Sequence, residues 1–258
     1  MLIEIKDKKK KDIFISIFHI LKNCSSQINA TFNLEFCHIQ GMDKSHVCLF
    51  DLILKDKWFC SFNVSSKINL SFDSNMFYSI ISTKSDEQNL IIKKNDDEDF
   101  LNIELITNGS KKCDYDKYFT MQLMEYEYEE MNIPQTDYDA ELSLPAKKVN
   151  DMLSQLSNFG NDLNIICNEE YVDFKTKGTS GEMRVNIPID DMTSYGIVEG
   201  EEVNLAYSLQ YISKMCITNK LSTDINFNLS NQCPMKINYD LGDDSLLTFY
   251  IAPKVSDD

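Results

Sequence analysis

The sequence predicts an α+β chain made of two copies of one domain, each an antiparallel sheet with helices on one face. Three observations predict it. The first is an internal repeat at a constant offset of 135 residues: Phe14, Ile17, Phe18 and Leu21 return as Val149, Met152, Leu153 and Leu156, Ile28-Asn29 as Leu163-Asn164, Phe36 as Tyr171, and Asn69-Leu70-Ser71-Phe72 as Asn204-Leu205-Ala206-Tyr207. That offset is far longer than a solenoid unit, so the copies are whole domains. The second is the middle of the chain, Thr120 to Tyr138, which starts as an alternating strand and ends in Ile133-Pro134. It carries Glu125, Glu127, Glu129, Glu130 and Asp137 with no basic residue. A proline fixes φ and holds the residue before it extended, so this stretch reads as a solvated connector. The third is that both halves mix two-residue alternation with two short helical patterns, which suits antiparallel sheet covered by helices on one side. The expected bounds are a first domain over 1–124, a connector over 125–137 and a second domain over 138–258.

The elements follow in order. Met1 to Ile5 is a strand, and Asp12 caps a helix over 13–23 with apolar residues at helical spacing. Residues 28–39 and 45–55 alternate, with Gly41 between them as the expected hairpin turn, and Trp58 to Val64 is a further strand. A second helix over 71–82 is expected to bury Phe72, Met76 and Ile80, followed by strands at 88–94, 99–107 and 117–124. In the second half a helix over 146–157 follows Pro145, and strands occupy 162–168, 171–176, 182–187 and 201–206. A helix over 207–216 and strands at 223–230, 234–240 and 246–251 complete the chain. Edge strands are expected at 117–124 and 180–187.

Composition bounds the function. A hydrophobic share of 43%, with 15 Phe and 12 Tyr, supplies a core, while a formal net charge of −16 gives no overall attraction to nucleic acid. The eight cysteines form no C-x-x-C pair and sit mostly in apolar runs, as buried thiols of a reducing compartment do. Lys8 to Lys11 before an apolar stretch imitates a signal peptide, but Asp12, Ser16 and His19 interrupt it and the pattern returns at 148–156. No run reaches the roughly 18 apolar residues that span a membrane. Asp43 with His46 and Cys48 is the best constellation for an enzyme, yet there is no H-E-x-x-H, phosphate-binding glycine loop or G-x-S-x-G. No catalytic residue, metal or cofactor is expected.

Three strings carry a family resemblance. The chain ends Leu247-Thr248-Phe249-Tyr250-Ile251-Ala252-Pro253-Lys254 before an acidic tail, contains Met42-Asp43-Lys44-Ser45-His46-Val47-Cys48-Leu49, and has Leu123-Met124 and Ile133-Pro134 around the connector. In these strings and across essentially its whole length it resembles the proliferating cell nuclear antigen family of eukaryotic-type DNA sliding clamps. The resemblance implies two processivity-clamp domains per subunit, with three subunits closed head to tail around duplex DNA. Four helices per subunit would line the hole, with the sheets outside. It implies a processivity factor without chemistry of its own, tethering DNA polymerase, flap endonuclease, ligase and clamp loader through short peptide motifs. Its place would be the nucleus, or a cytoplasmic replication site for a viral chain. A clamp-fold subunit of a checkpoint or transcription-associated ring is the rival reading.

The resemblance also implies sites. Met42, His46, Val47, Leu49, Ile133, Pro134, Pro234, Tyr250, Ala252 and Pro253 match the family's partner-peptide pocket, with Met131 where the family has leucine. Phe119, Met121 and Leu123 would meet Leu156 and Phe159 of a neighbouring subunit. Lys9, Lys10, Lys11, Lys22, Lys147, Lys148, Lys214 and Lys220 would face DNA. There are departures: Asp151 and Ser154 stand where the family has arginines, Asn75 and Tyr78 where it has lysines, and Glu169 where it has a lysine that is modified by ubiquitin. The basic lining is therefore expected to be thin and DNA to be held chiefly by topology.

Overall fold

The computed structural model describes residues 1–96, 98–107, 115–126 and 130–254. Glu127 and Glu129 of the connector, Cys113 and the acidic tail beyond Lys254 lie outside the described residues. The first half runs β1 (Leu2–Ile5), α1 (Lys8–Cys24), β2 (Gln27–Phe32), β3 (Phe36–Met42), β4 (Cys48–Lys55), a 3-10 turn, β5 (Ser61–Asn63), β6 (Ile68–Asp73), α2 (Ser74–Ile81), β7 (Gln88–Lys93), β8 (Phe100–Thr107) and β9 (Lys117–Gln122). The second runs β10 (Ala140–Pro145), α3 (Ala146–Leu156), β11 (Asp162–Cys167), β12 (Tyr171–Gly178), β13 (Gly181–Pro188), a 3-10 turn, β14 (Ser194–Ile197), β15 (Val203–Ser208), α4 (Leu209–Met215), β16 (Asp224–Ser230), β17 (Cys233–Gly242) and β18 (Ser245–Ile251). The two lists have the same elements in the same order.

Pairing repeats as well. β1 lies antiparallel between β5 and β7, and β10 between β14 and β16. β2 lies antiparallel between β3 and β6, and β11 between β12 and β15. The chain divides into two compact units, one of Met1–Lys44, Phe50–Met131 and Asp240–Leu247, the other of Ser45–Leu49, Asn132–Tyr239 and the residues from Thr248. In the first, β5-β1-β7-β8-β9 form a sheet that ends on β9. In the second, β15-β11-β12-β13 form a sheet that ends on β13. These are the two edges expected from the sequence.

The first unit's core is aromatic. Phe14 and Phe18 on α1 meet Phe77 on α2 at ring-centroid distances of 6.2 and 4.5 Å, and Phe72 on β6 joins them at 4.8 Å from Phe77. Trp58 is fully buried and donates its indole N–H to the Leu241 carbonyl at 3.0 Å. At the matching places the second unit has Val149, Leu153, Ile212 and Tyr207, so its core is more aliphatic.

Several expectations need correction. Helix α1 starts five residues earlier than expected, because Asp7 and not Asp12 is its cap: the Asp7 carboxylate accepts the Lys10 N–H at 2.8 Å. The run 28–39 is two strands, since the Asn33 side chain accepts the N–H groups of Glu35 and Phe36 and turns the chain there. Gly41 lies inside β3 and is not the turn; a Cβ there would stand 2.4 Å from the Phe50 ring. Helix α2 begins at Ser74 under an Asp73 cap, and this phase buries Phe77, Ile80 and Ile81 while Met76 is exposed. Of the stretch Trp58 to Val64 only Ser61–Asn63 is strand, and β10 and β14 were not foreseen.

Candidate functional site

The described residues of the connector are exposed at Asn132 and over 134–137 but held at other points. Its described start is fastened to the first unit's sheet. Met124 donates to the Ser71 carbonyl at 2.7 Å, and Gln27 reaches the Glu125 carbonyl at 3.3 Å. The hydroxyls of Thr31 and Tyr126 are 3.4 Å apart. Further along, Gln40 on β3 grips the Met131 backbone at both ends: its amide donates to the Met131 carbonyl at 3.1 Å and accepts the Met131 N–H at 2.7 Å. Two residues back on the same face of β3, His38 stands 2.6 Å from Asp51 of β4 and 3.3 Å from Glu130. Burial alone would lower the His38 pKa, but the Asp51 hydrogen bond and the charges of Asp51 and Glu130 outweigh it and hold the imidazole above its ordinary value. The sequence reading missed His38 and Gln40. The only signal was two polar side chains on one face of an otherwise apolar strand.

The residues expected to take partner peptides are placed as follows. In the first unit Met42 and Met131 are half-buried. In the second unit Val47 and Leu49 are half-buried, as are Ile133, Tyr250 and Ala252, while His46, Pro134, Pro234 and Pro253 are exposed. The structure brings Val47 and Ala252 together, the Ala252 N–H donating to the Val47 carbonyl at 3.0 Å. The Lys254 N–H donates to Ala206 at 2.7 Å, so the stretch after β18 is anchored on both sides of Pro253. His46 holds φ at 57°, a left-handed conformation uncommon outside glycine. Asp43, the enzyme candidate's carboxylate, is buried, whereas His46 is exposed.

The lysines expected to face DNA are unequal. Lys9, Lys147, Lys148 and Lys220 are exposed. Lys10 is half-buried, donating to the Trp58 carbonyl at 2.8 Å and pairing with Asp243 at 2.6 Å. Lys22 lies 4.0 Å from the centroid of the Tyr78 ring, on which His19 also stacks, and Lys214 lies 5.6 Å from that of Tyr211. Lys11 does not belong in this group: it is 2% exposed, and its ammonium donates to the Asp86 and Gln88 carbonyls at 3.1 and 2.5 Å. The earlier helix start turns Lys11 inward, and burial lowers its pKa. On α3, Lys147, Lys148, Asp151 and Ser154 are all exposed.

Two of the expected subunit-contact residues are also corrected. Met121 and Leu156 are 4% and 0% exposed, held in their own units' cores, and are not free for a neighbour. Strand alternation puts Met121 on the inner face of β9. Phe119 and Leu123 are half-buried and Phe159 is exposed. On the second unit's edge strand, Arg184 pairs with Asp173 at 2.8 Å, and Asn186 donates to the same carboxylate at 2.9 Å. Asp173 is fully buried. Burial would raise its pKa, but the donors from Arg184, Asn186 and Lys175 hold it below the ordinary value. Arg184 is the only arginine in the chain, which was a legible signal that the sequence reading left unused.

Among the described residues no cluster of His, Cys, Asp and Glu could hold a metal, and no helix is long and apolar enough to cross a membrane.

Comparison with known proteins follows the repeat. The family model described as "Proliferating cell nuclear antigen, N-terminal domain" matches residues 2–130, and the model for the C-terminal domain matches residues 132–254. A proliferating cell nuclear antigen of Chaetomium thermophilum is 27% identical over 255 residues, covering 97% of each chain. A crystal structure of the corresponding protein from Thermococcus kodakaraensis superposes with a TM-score of 0.88 at 19% identity, covering 98% of this chain and 99% of that one.

Proposed function

The chain belongs to the proliferating cell nuclear antigen family and has its α+β clamp fold; from that premise we propose that it is a DNA sliding clamp of replication and repair. In this reading three copies close head to tail around duplex DNA. The ring tethers DNA polymerase, flap endonuclease and ligase by short peptides, a clamp loader opens and seats it, and it works in the nucleus. The domains are 1–124 and 138–258, with 125–137 as the connector between them.

The observation that carries the proposal is a pair of unlike sheet edges. β9 ends one sheet of the first unit and β13 ends one sheet of the second. An unpaired edge is a template for another strand. Adding β9 of one copy to β13 of the next is a head-to-tail contact, which gives a ring when the rotation closes. Half-buried Phe119 and Leu123, with exposed Phe159 across the contact, are the side chains that would take part. Light scattering at micromolar concentration should give three times the chain mass of 29.8 kDa, and Phe119→Asp should give monomers. A monomeric wild-type protein would remove the ring.

The residues proposed to take peptides of the form Gln-x-x-aliphatic-x-x-aromatic-aromatic are Met42 and Met131 in the first unit and His46, Val47, Leu49, Ile133, Pro134, Pro234, Tyr250, Ala252 and Pro253 in the second. Apolar side chains with a few polar groups suit an aromatic plug. DNA contact falls to Lys9, Lys147, Lys148 and Lys220, with Lys10, Lys22 and Lys214 partly engaged elsewhere. Affinity for DNA and its salt dependence both grow with the number of phosphates neutralised. So few exposed cations among the lysines assigned to DNA, in a chain of formal charge −16, support weak direct affinity and retention by topology.

A further inference from the structure

His38 and Gln40 project from one face of β3 and grip consecutive connector residues, Glu130 and Met131. The two grips differ in kind. Gln40 meets the backbone with a neutral amide and is indifferent to pH. His38 has a carboxylate at each ring nitrogen, Asp51 at 2.6 Å and Glu130 at 3.3 Å. Both contacts are attractive only when both nitrogens carry protons, because a neutral imidazole turns a lone pair toward one of the two acceptors. Among the described residues the charged groups facing the ring are Asp51 of β4, Glu130 of the connector and Lys67 before β6, and the Phe36 ring stands edge-on at 6.4 Å. The His38 and Asp51 side chains are 12% and 19% exposed, so this contact is held in place by the fold, while Glu130, at 66%, is the part that can leave.

We propose that His38 is a positioning residue for partner-peptide binding, its cation tying Glu130 to Asp51 and so fixing the connector that leads through Met131 to Ile133 and Pro134. The proposal rests on the reading above that these connector residues take partner peptides. A connector held in place before the peptide arrives loses less freedom on binding, and affinity rises accordingly. The folded-state pKa of His38 is raised, so the tie is complete below the ordinary imidazole value of 6.5 and is lost as pH rises through the folded value. Peptide affinity should fall with it, by about threefold to tenfold across the titration, the size of one such contact.

The test is calorimetry on the full chain with a synthetic Gln-x-x-aliphatic-x-x-aromatic-aromatic peptide, from about pH 5.5 to about pH 8.5, where imidazole changes charge. Wild type should weaken as pH rises. His38→Gln should bind at the weaker level at every pH, and Glu130→Gln should flatten most of the slope. A His38→Gln variant that keeps the wild-type slope overturns the proposal, since a purely structural His38 would shift affinity without changing the profile. A second arm needs no peptide: the His38 imidazole is titrated by NMR in wild type and in Glu130→Gln. Its midpoint should fall in the variant, and an unmoved midpoint also overturns the proposal. A peptide that binds at no pH would sink the peptide reading alone and leave this second arm to decide on His38.

Discussion

The same place in the two repeats carries an imidazole in one copy and a carboxylate in the other. His38 on β3 and Asp173 on β12 are separated by the repeat offset, and so are their cross-strand partners, Asp51 on β4 and Asn186 on β13. In the first repeat an imidazole stands on the inner strand and a carboxylate faces it. In the second the carboxylate stands on the inner strand, buried, and the cation Arg184 reaches it from the edge. The first pair recruits Glu130 of the connector; the second stays within its sheet. The repeat therefore preserves a position for a polar cross-strand pair, not a residue. What each copy places there follows what lies beside it: an acidic connector in one case, an unpaired edge strand in the other. Cross-strand pairs are the unit of sheet stabilisation, and complementary polar pairs contribute to it.

The largest expected effect sharpens the difference beneath these pairs. Phe77 and Ile212 are equivalent, but Phe77 touches Phe14, Phe18 and Phe72. Phe77→Ala should cost about 3–5 kcal/mol and Ile212→Ala about 2–5 kcal/mol, the first at the upper end because an aromatic cluster loses its centre. Denaturant unfolding of both variants measures this, and equal losses would mean that the aromatic cluster adds nothing. Next comes Asp173→Ala, which removes a buried charged acceptor and should cost about 1–3 kcal/mol. The same substitution at Asp51 should cost less, since the Asp51 side chain is 19% exposed.

A smaller effect separates the pairs by pH. Asp173 has its pKa lowered, so its contribution is present above the ordinary carboxylate value of 3.8 and is lost as pH falls through the folded value. His38 has its pKa raised, so its contribution is present below 6.5 and is lost as pH rises through its folded value. Both pairs are whole between those two values, and stability attributable to them should be greatest there. Hydrogen exchange should show the sheet around Asp173 opening first in acid and that around His38 first in alkali; the reverse order would break the comparison. The smallest effect is Lys175→Ala. Its ammonium is 3.4 Å from Asp173 but the side chain is 37% exposed, and such a pair contributes about 0–1 kcal/mol.

The repeat, the four helices, most of the strands and both edge strands were legible because each rests on side-chain periodicity, which a sequence displays directly, whereas β10 and β14 were not. What was misread depends on caps and close contacts. Asp7 and Asp12 are both acceptable helix caps, and only the fold decides that Lys11 turns inward onto the Gln88 carbonyl. Met76 and Phe77 are adjacent apolar residues, and the Asp73 cap chose between their faces. The connector's grip was invisible for a different reason. Its partners Gln27, Thr31, His38 and Gln40 are spread over two strands about 90 residues earlier in the chain, and their spacing carries no pattern of its own. Arg184 was the exception: the sole arginine of the chain, diagonally across the strands from Asp173, was a signal that went unread.

The central claim is that this chain forms a ring that holds DNA by enclosing it. The direct measurement loads the protein onto closed circular duplex with a clamp loader, at about 150 mM salt where surface attraction is screened beyond about 8 Å, and follows the bound protein before and after a single restriction cut. The account predicts stable retention on the circle and loss from the linear form as the ring slides off its ends. Equal retention on both forms would contradict it, because protein held by its lysines would not notice the cut.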